Sequence, residues 1–412
     1  MKKKPNVVLI TLDSLRADFV GYQNQRERNT PFLDSLSKKS SIFINTISPA
    51  NPTFFTFCSL MTGTLPFTFG KYLGIPGNNK IRTIAEVLKE NGYKTSAFLA
   101  DSPALYSIYG YDRGFDYYDD GYSDEDRHSI PGKELNEKVK GNFEVKKNEP
   151  FFLWLHYMDT HIPFFSGLDE YFYKDKNLSE REHKKNKFHK RIKNSVKNME
   201  IKDAETTEII KEAYRSCVKY ADQVLKEIVE YLQAKYPDTI FVIISDHGEA
   251  LMEHGMFGHE PFSLYDELIK IPMLIYVPSL EPKKVEKTVS LVSLAKTISE
   301  TVGIKEPQFQ GNNLLKDKTY SSVNNISRIL YKCRSPHVRL GILDNKTEIQ
   351  GYTELWSFTT EKEKYILEKD GGVEEYYFLD KDPEEIKNLI NDRTVNKDDI
   401  LEKLNKYIKN SV

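Results

Sequence analysis

Residues 7–13 read Val-Val-Leu-Ile-Thr-Leu-Asp, a short β-branched apolar run that ends at the polar Asp13. Such a run is typical of a fully buried strand in a parallel sheet, which is apolar on both faces. Similar runs occur at residues 151–156 (FFLWLH) and 239–245 (TIFVIIS), and the second is followed directly by Asp246. Each run is therefore predicted to be a buried strand that ends at a reactive side chain.

Helical patterns separate these strands. Residues 81–92 carry apolar residues at helical spacing and end in glycine, and residues 208–235 form a long amphipathic pattern. Residues 94–100 and 271–277 return to strand patterns. Alternation of strands and helices predicts an α/β protein, with a three-layer α/β/α sandwich around a mostly parallel central sheet.

The pattern changes after residue 315. Short alternating segments precede a final helical pattern, and they lie at 338–343, 357–360, 364–367, 375–379 and, for the helix, 398–409. They predict a small antiparallel sheet with one helix packed on it. We therefore divide the chain into a catalytic domain over residues 1–315 and a C-terminal α+β subdomain over residues 316–412.

The stretch 173–197 is strongly basic. It holds ten Lys or Arg residues against three Asp or Glu residues. A charge run of this kind is usually a solvated helix or surface insertion. The alternative is a basic lid that meets an anionic substrate.

Composition excludes several classes of protein. The chain has 412 residues, of which 39% are hydrophobic and 29% charged, whereas a disordered chain lacks the apolar residues for a core. The net charge of −2 provides no field for nucleic acid. Three widely spaced cysteines without a CxxC pair indicate neither a disulfide framework nor a cysteine metal site, and they fit a reducing compartment.

The start of the chain has a cluster of lysines followed by a short apolar run. This run is broken at Asp13 and is too short for a signal peptide or a membrane span. We therefore expect a cytoplasmic protein with no integral membrane segment. The sequence leaves the oligomeric state open.

Reactive residues follow three of the predicted strands. Ligands of open α/β sheets bind outside the carboxyl ends of the strands, so Asp13, His156 and Asp246 are expected at one edge. Asp246 and His247 offer a carboxylate and an imidazole, which suit a divalent metal of borderline hardness such as Mn²⁺ or Zn²⁺. The alternatives are that Asp13 caps a helix and that His156 is a satisfied core histidine, which is the favoured interpretation of His156.

Several segments of the chain resemble the sulfatases of the alkaline phosphatase superfamily. They are LDSLRAD at 12–18, residues 53–63 with their Ser-Leu-Met-Thr-Gly ending, His161-Ile162-Pro163, and SDHGEALMEHGMFGHE at 245–260. The stretches LYDELIKIPMLI and YYFLDKDPEEIKNL extend the resemblance over residues 5–392. It implies an alkaline phosphatase-like fold, a divalent metal and ester hydrolysis.

The sequence departs from the sulfatase pattern at the nucleophile. Sulfatases convert the first residue of Cys/Ser-x-Pro-x-Arg to formylglycine. This chain has Thr53 in place of the Cys or Ser, Phe55 in place of the Pro and Phe57 in place of the Arg. An aldehyde residue is therefore not expected. Thr53 resembles instead the unmodified threonine nucleophile of lipoteichoic-acid synthases and phosphoethanolamine transferases. A simple turn residue is the alternative for Thr53.

The same resemblance implies a ligand set for one divalent metal, consisting of Asp13, Thr53, Asp246 and His247. Mn²⁺ is the favoured ion, with Zn²⁺, Ca²⁺ and Mg²⁺ as alternatives. The sequence does not identify a second metal site.

The resemblance also implies residues that contact the substrate. His161 would donate a hydrogen bond to the substrate or to its leaving oxygen and act as the general acid, with a pKa near the working pH. His259, and with less support His254, would bind the anion or a second metal. Asp159 would orient His161 or ligate that second metal.

Arg16 lies in the first of the matching segments. It is a candidate for clamping the anionic substrate, and the favoured interpretation is a structural ion pair with Asp18 or Asp34.

These features predict a metal-dependent phosphoester or phosphodiester hydrolase, or a phosphotransferase, in which Thr53 attacks and an acceptor then displaces the phosphothreonine. The substrate is expected to be a small anionic ester or a phosphorylated or sulfated glycan. One alternative is a sulfate ester hydrolase that acts without formylglycine. Another is an inactive relative that binds an anionic glycan.

Overall fold

A mostly parallel sheet lies at the centre of the computed structural model. Its eight strands, in the described residues, are β1 (Asn6–Leu12), β2 (Ser41–Ile47), β3 (Lys94–Leu99), β4 (Tyr117–Asp119), β5 (Phe151–Tyr157), β6 (Thr239–Ser245), β9 (Lys270–Tyr276) and β10 (Lys284–Ser290). Between β6 and β9 in the chain, β7 (Ala250–Leu251) and β8 (Phe257–Gly258) pair as a separate short antiparallel ribbon. The spatial order of the large sheet is β10-β2-β9-β6-β1-β5-β3-β4. β9 runs antiparallel to both of its neighbours, and the other pairs are parallel.

The structure describes residues 4–66, 68, 74–77, 80–122, 129–164, 204–259, 263–331, 353–369, 371–392, 395 and 397–409. The basic stretch 173–197 and the strand predicted at 338–343 lie outside these residues, so both stay predictions.

Helices cover both faces of the sheet. They are α1 (Pro31–Ser37), α2 (Thr53–Thr62), α3 (Ile84–Glu90), α4 (Gly132–Asn142), α5 (Ala204–Lys235), α6 (Asp266–Ile269), α7 (Leu294–Thr301) and α8 (Asp398–Lys409). α3 is shorter than its predicted range of 81–92. It begins after Thr83, whose side chain accepts from the amide of Glu86 while the Glu86 carboxylate accepts from the amide of Thr83. This capping box fixes the start of the helix.

The two faces of β1 contribute to different cores. Val7 and Leu9 pack with apolar residues of α2, α3 and α7. Val8 and Ile10 pack with residues of α1, α4 and α5. One strand contributes to two cores because its successive side chains point to opposite faces of the sheet. The predicted three-layer α/β/α sandwich is therefore confirmed.

A second, antiparallel sheet lies in the C-terminal part. It consists of β11 (Ile326–Tyr331), β12 (Thr353–Thr359), β13 (Glu363–Glu368) and β14 (Glu374–Phe378), paired in that order. α8 packs on it through Ile400 and Leu404, which share a buried cluster with Trp356. The predicted α+β subdomain is present, and β11 is a strand that the sequence patterns missed. The boundary at residue 315 stays a prediction.

None of the helices in the described ranges combines the length and the apolar character that crossing a bilayer requires.

Candidate metal centre

The candidate site lies at the carboxyl ends of three adjacent strands. β1 pairs in parallel with both β5 and β6, and the register places Leu12 opposite both Tyr157 and Ser245. The residues that follow Leu12 and Ser245, Asp13 and Asp246, therefore leave the sheet at the same level. Both carboxylates are buried, at 1% and 0% exposure.

Four potential metal ligands converge at this edge. Asp13, Asp246 and His247 each offer a ligand atom, and these atoms lie within 4.8 Å of one another. His247 Nε2 lies 3.4 Å from Asp246 Oδ2 and 3.8 Å from Asp13 Oδ1. Thr53 Oγ1 lies 3.0 Å from His247 Nε2 and 3.4 Å from Asp13 Oδ2. Donors around a tetrahedral ion at about 2.0 Å would be about 3.3 Å apart, so the spacing fits one divalent cation.

One carboxylate oxygen provides independent support for a cation. Asp246 Oδ1 accepts from the amides of Ser14 at 3.2 Å and His247 at 2.9 Å. Asp246 Oδ2 is buried, and the described residues give it no hydrogen-bond partner. A buried carboxylate oxygen without a partner is costly, and it faces the same atoms as the other ligands. A divalent cation would satisfy it.

The two carboxylates respond differently to their surroundings. Burial raises the pKa of Asp13, but the imidazoles of His161, His156 and His247 outweigh burial and hold that pKa well below its usual value. The pKa of Asp246 is raised, first by burial and then by the negative charge of Asp13. Two ionised carboxylates in one buried cluster repel each other, and a cation between them favours the ionised form of both.

His247 is held in one tautomer. Its Nδ1 lies 2.8 Å from the carbonyl oxygen of Gly248, so Nδ1 carries the proton and donates it. In the neutral ring, Nε2 is then the acceptor, and it lies 3.0 Å from the Thr53 hydroxyl. This arrangement is the one that a metal-binding histidine requires.

Gly248 allows this turn because it has no side chain. A Cβ at this position would lie 2.0 Å from the backbone oxygen of Glu267, which is far inside van der Waals contact. We expect Gly248→Ala to lower the free energy of unfolding by about 1–3 kcal/mol, measured by urea denaturation. Gly141→Ala in α4 is the matched control, because nothing lies within 4 Å of the point that its Cβ would occupy. Equal stability of the two variants would contradict this account.

Thr53 is the first residue of α2 and is 5% exposed. The amino end of a helix carries partial positive charge, which favours a developing negative charge on the Thr53 oxygen. Thr53 therefore begins a helix beside the carboxylates, and the simple-turn alternative does not describe its place. No helix begins at Asp13 either, since the next element is a single 3₁₀ turn over Ala17–Phe19.

Two further histidines stand beside the cluster. The His259 ring lies 4.6 Å from the His247 ring and 4.8 Å from the His161 ring, between centroids. Glu249, which sequence reasoning did not single out, is fully buried and lies 2.9 Å from His259 Nδ1 through Oε1. The only signal for Glu249 in the sequence was its place in the motif that begins at Ser245.

These two histidines carry different charges at neutral pH. Burial lowers the pKa of His259, but the Glu249 carboxylate outweighs it and raises the pKa to about 9. The pKa of His161 is lowered, because burial and the neighbouring charge of His259 outweigh the negative charge of Asp13, which raises it. His161 Nδ1 lies 2.5 Å from the carbonyl oxygen of Ile162, which leaves Nε2 as its free nitrogen. His259 is therefore expected to be protonated at neutral pH, whereas the lowered pKa of His161 favours its neutral form.

The structure places two other predicted residues, Asp159 and His254, outside this cluster. Asp159 accepts a hydrogen bond from the amide of Gly132, the first residue of α4, at 3.1 Å. The His254 ring stacks on Tyr265 with centroids 3.7 Å apart. Neither residue belongs to the group of metal-ligand atoms in the described part of the chain.

Arg16 forms the predicted ion pair. Its guanidinium lies 2.8 Å from Asp18 and 3.2 Å from Glu253, and it donates to the backbone oxygen of Glu249 at 2.9 Å. The partner is Asp18 rather than Asp34. The guanidinium is occupied by these contacts, so the structure favours the ion pair over a clamp on the substrate.

His156 differs from the favoured interpretation of a satisfied core histidine. It is fully buried, as expected, but its Nε2 lies 3.5 Å from Asp13 Oδ2 and has no hydrogen-bond partner among the described residues.

Comparison with known proteins identifies the family. The model of the Sulfatase family matches residues 5–304. This chain belongs to the sulfatase family. The predicted relationship to ester hydrolases is thereby confirmed, and the special likeness to relatives with a threonine nucleophile stays a proposal.

Similar proteins include a sulfatase and a protein named as similar to lipoteichoic acid synthase. The ulvan-active sulfatase of Formosa agariphila is 24% identical over 68% of this chain and 58% of its own length. The lipoteichoic acid synthase-like YvgJ of Bacillus subtilis is 22% identical over 77% of this chain and 51% of its own. This sulfatase-family chain thus spans between half and two thirds of these two relatives.

A solved structure supports the predicted fold. The phosphonate monoester hydrolase of Agrobacterium radiobacter superposes with a TM-score of 0.69 and 16% identity, over 98% of this chain and 94% of its own. The alkaline phosphatase-like fold class is therefore confirmed for this sulfatase-family protein.

Proposed function

We propose that this sulfatase-family protein is a metal-dependent hydrolase or transferase of an anionic ester, in which the unmodified Thr53 hydroxyl attacks. The observation that carries the proposal is the position of Thr53 Oγ1, 3.0 Å from His247 Nε2 and 3.4 Å from Asp13 Oδ2. A hydroxyl in a buried cluster of two carboxylates and an imidazole is placed for activation rather than for packing.

The metal ligands would be Asp13, Thr53, Asp246 and His247. A divalent cation bound there lowers the pKa of the threonine hydroxyl and offsets negative charge on the ester oxygens. We favour Mn²⁺, because three oxygen donors and one imidazole suit an ion between the hard and the borderline classes.

The remaining side chains bind the substrate and move protons. The Thr53 oxygen forms a bond to the phosphorus or sulfur atom as the bond to the leaving oxygen breaks. In the first step the Thr53 hydroxyl proton would pass to Nε2 of His161, and the protonated His259 would donate its proton to the leaving oxygen, the role that the sequence assigned to His161. Water or an alcohol would then attack the Thr53 adduct and give its proton to His259, while His161 returns its proton to the Thr53 oxygen.

We favour a phosphoester or phosphodiester over a sulfate ester. Formylglycine hydrate releases sulfate by collapse to the aldehyde, and Thr53 cannot form that aldehyde. A plain threonine therefore needs a second attack at the central atom, which is the established course of covalent phosphoryl transfer.

Sulfate ester hydrolysis is the second candidate function. The family match and the ulvan-active sulfatase support it at least as strongly as the phosphonate hydrolase supports phosphorus. Under either candidate, we propose a small anionic ester or a phosphorylated or sulfated glycan as the substrate and the cytoplasm as the location.

A panel of chromogenic esters separates these candidates. Purified protein with Mn²⁺ is assayed on bis(p-nitrophenyl) phosphate, p-nitrophenyl phenylphosphonate and p-nitrophenyl sulfate, with Thr53→Ala as the blank at equal metal content. We expect the highest kcat/KM on a phosphorus ester. A higher kcat/KM on the sulfate would overturn the phosphorus assignment, and turnover of none would favour an inactive glycan-binding relative.

His259 offers a test of anion binding by charge. We expect His259→Asn to raise KM about 10- to 100-fold, because a hydrogen bond from a charged group contributes roughly 1.5–3 kcal/mol. His259→Lys retains a positive charge and should keep most of the affinity. Steady-state kinetics on the best ester of the panel measure both variants. Equal impairment of the two would show that the charge of His259 does not bind the substrate.

A further inference from the structure

His156 is a buried imidazole that the mechanism above does not use. It lies near the end of β5, opposite Thr11 of β1 in the parallel register. It is 0% exposed, and its Nε2 lies 3.5 Å from Asp13 Oδ2 without a hydrogen-bond partner in the described ranges. Buried polar groups are normally paired, so this nitrogen requires an explanation.

The contacts on the other side of the ring indicate which nitrogen carries the proton. The indole Nε1–H of Trp154 donates to Thr11 Oγ1 at 3.0 Å. Thr11 Oγ1 lies 2.8 Å from His156 Nδ1 and 3.3 Å from the carbonyl oxygen of Leu155. The hydroxyl has one proton, and the shorter distance favours donation to Nδ1. Nε2 then carries the ring proton, directed toward the carboxylate of Asp13.

The opposite tautomer is disfavoured by electrostatics. If Nδ1 carried the proton of a neutral ring, the lone pair of Nε2 would face the carboxylate of Asp13 at 3.5 Å. Two electron-rich atoms would then oppose each other in a buried environment, where their repulsion is poorly screened. Trp154, a donor only, prevents the Thr11 hydroxyl from donating back to the indole.

Aromatic packing holds the ring in this orientation. Phe57 meets His156 edge to face, with centroids 5.1 Å apart, and also packs on Trp154 at 5.2 Å. Phe57 occupies the position at which the sulfatase pattern has arginine. The hydrogen-bonded groups Trp154, Thr11 and His156 therefore lie beside an apolar ring, at a position where the sulfatase pattern has the cationic arginine.

We propose that His156 is a positioning residue for the metal centre. Its Nε2–H orients the carboxylate of Asp13 for metal binding, and the chain Trp154–Thr11 fixes the tautomer that makes this contact. The inference rests on the proposed metal site. Outer contacts that orient metal ligands typically change metal affinity about 10- to 100-fold.

The test measures Mn²⁺ affinity by calorimetric titration of metal-free full-length protein. We expect His156→Phe, which keeps a ring but removes both nitrogens, to weaken Mn²⁺ binding about 10- to 100-fold. Thr11→Val removes only the hydroxyl that fixes the tautomer, and we expect a smaller loss, of about 3- to 10-fold. Thr11→Val also keeps the proposal testable if His156→Phe does not fold.

Thr239→Val is the matched control for Thr11→Val. Thr239 is also a fully buried strand threonine, and it lies at the amino end of β6, away from the site. An unchanged dissociation constant in His156→Phe and Thr11→Val, with a lower melting temperature, would show that His156 only packs, and would overturn this inference alone. Failure of the unmodified protein to bind Mn²⁺, Zn²⁺, Ca²⁺ or Mg²⁺ would overturn the metal site as well.

Discussion

Replacing Thr53 by alanine should reduce turnover by about 10³-fold or more, because removal of a nucleophile leaves only substrate binding and electrostatic stabilisation. In the described part of the chain, Thr53 Oγ1 is the hydroxyl that contacts both His247 and Asp13. The backbone of α2 does not require the hydroxyl, since no side-chain cap is formed at its start. The fold should therefore persist while activity is lost.

Thr53→Ser is the matched variant, because it retains a hydroxyl and loses one methyl group. We expect it to keep far more activity than Thr53→Ala, with losses near 10- to 100-fold from looser positioning of the oxygen. Steady-state rates on the best ester, corrected for metal content, measure both. Comparable activity of Thr53→Ala and the unmodified protein would refute a threonine nucleophile.

The adduct provides a second readout of the same residue. Quenching the reaction and mapping peptides by mass spectrometry should find the transferred group on Thr53. An adduct on another residue would refute the assignment even if Thr53→Ala were inactive.

Removing the charge of Asp246 should abolish tight metal binding. Asp246 Oδ2 is the buried oxygen without a partner, and an asparagine there is neutral and a weaker ligand. We expect Asp246→Asn to weaken divalent metal binding by about 100-fold or more. A metal raises the melting temperature by binding the folded protein and not the unfolded chain. This rise should therefore disappear in Asp246→Asn.

The same substitution should act in the opposite direction without metal. Asp13 and Asp246 are both buried, and the negative charge of Asp13 raises the pKa of Asp246 and so disfavours its ionised form. Neutralising one removes this repulsion, so metal-free Asp246→Asn should melt at the same or a higher temperature than the metal-free unmodified protein. Thermal scans with chelator and with added Mn²⁺ measure both effects.

Asp222→Asn is the control for this pair of scans. Asp222 is a buried aspartate on α5 whose carboxylate accepts from the amides of Phe32 and Leu33, away from the candidate centre. It should lower stability and leave the metal-induced shift intact. A metal-induced shift that survives in Asp246→Asn would exclude Asp246 as a ligand.

The strand patterns predicted where the candidate ligands Asp13 and Asp246 lie, because they predicted the sheet. Apolar runs at residues 7–12 and 239–245 define central strands, and parallel strands bring their carboxyl ends to one edge. Asp13 and Asp246 follow two of these strands, so the strand patterns alone predict that they lie together. The resemblance to the sulfatases implied Thr53, His161 and His259 as further site residues, and these lie on other elements.

Partner choice among side chains was less predictable. Arg16 pairs with Asp18, one of its two predicted partners, and also with Glu253, which was not predicted. Asp159 was expected to orient His161 or to ligate a second metal, yet it binds the amide of Gly132. A charged side chain such as Arg16 or Asp159 pairs with whichever oppositely polarised group the fold brings near. The spacing of residues along the chain does not give the distance to that partner.

The sequence by itself determined the three-layer fold, the family and the edge of the sheet where the candidate metal ligands lie, because these depend on periodicity and on motifs that are local in the chain. Only the tertiary structure showed that Glu249 raises the pKa of His259 and that His156 faces Asp13. Both contacts form between residues on different turns or strands, 10 and 143 positions apart. Their strength depends on burial and on angstrom-scale distances, which no pattern of residue types contains.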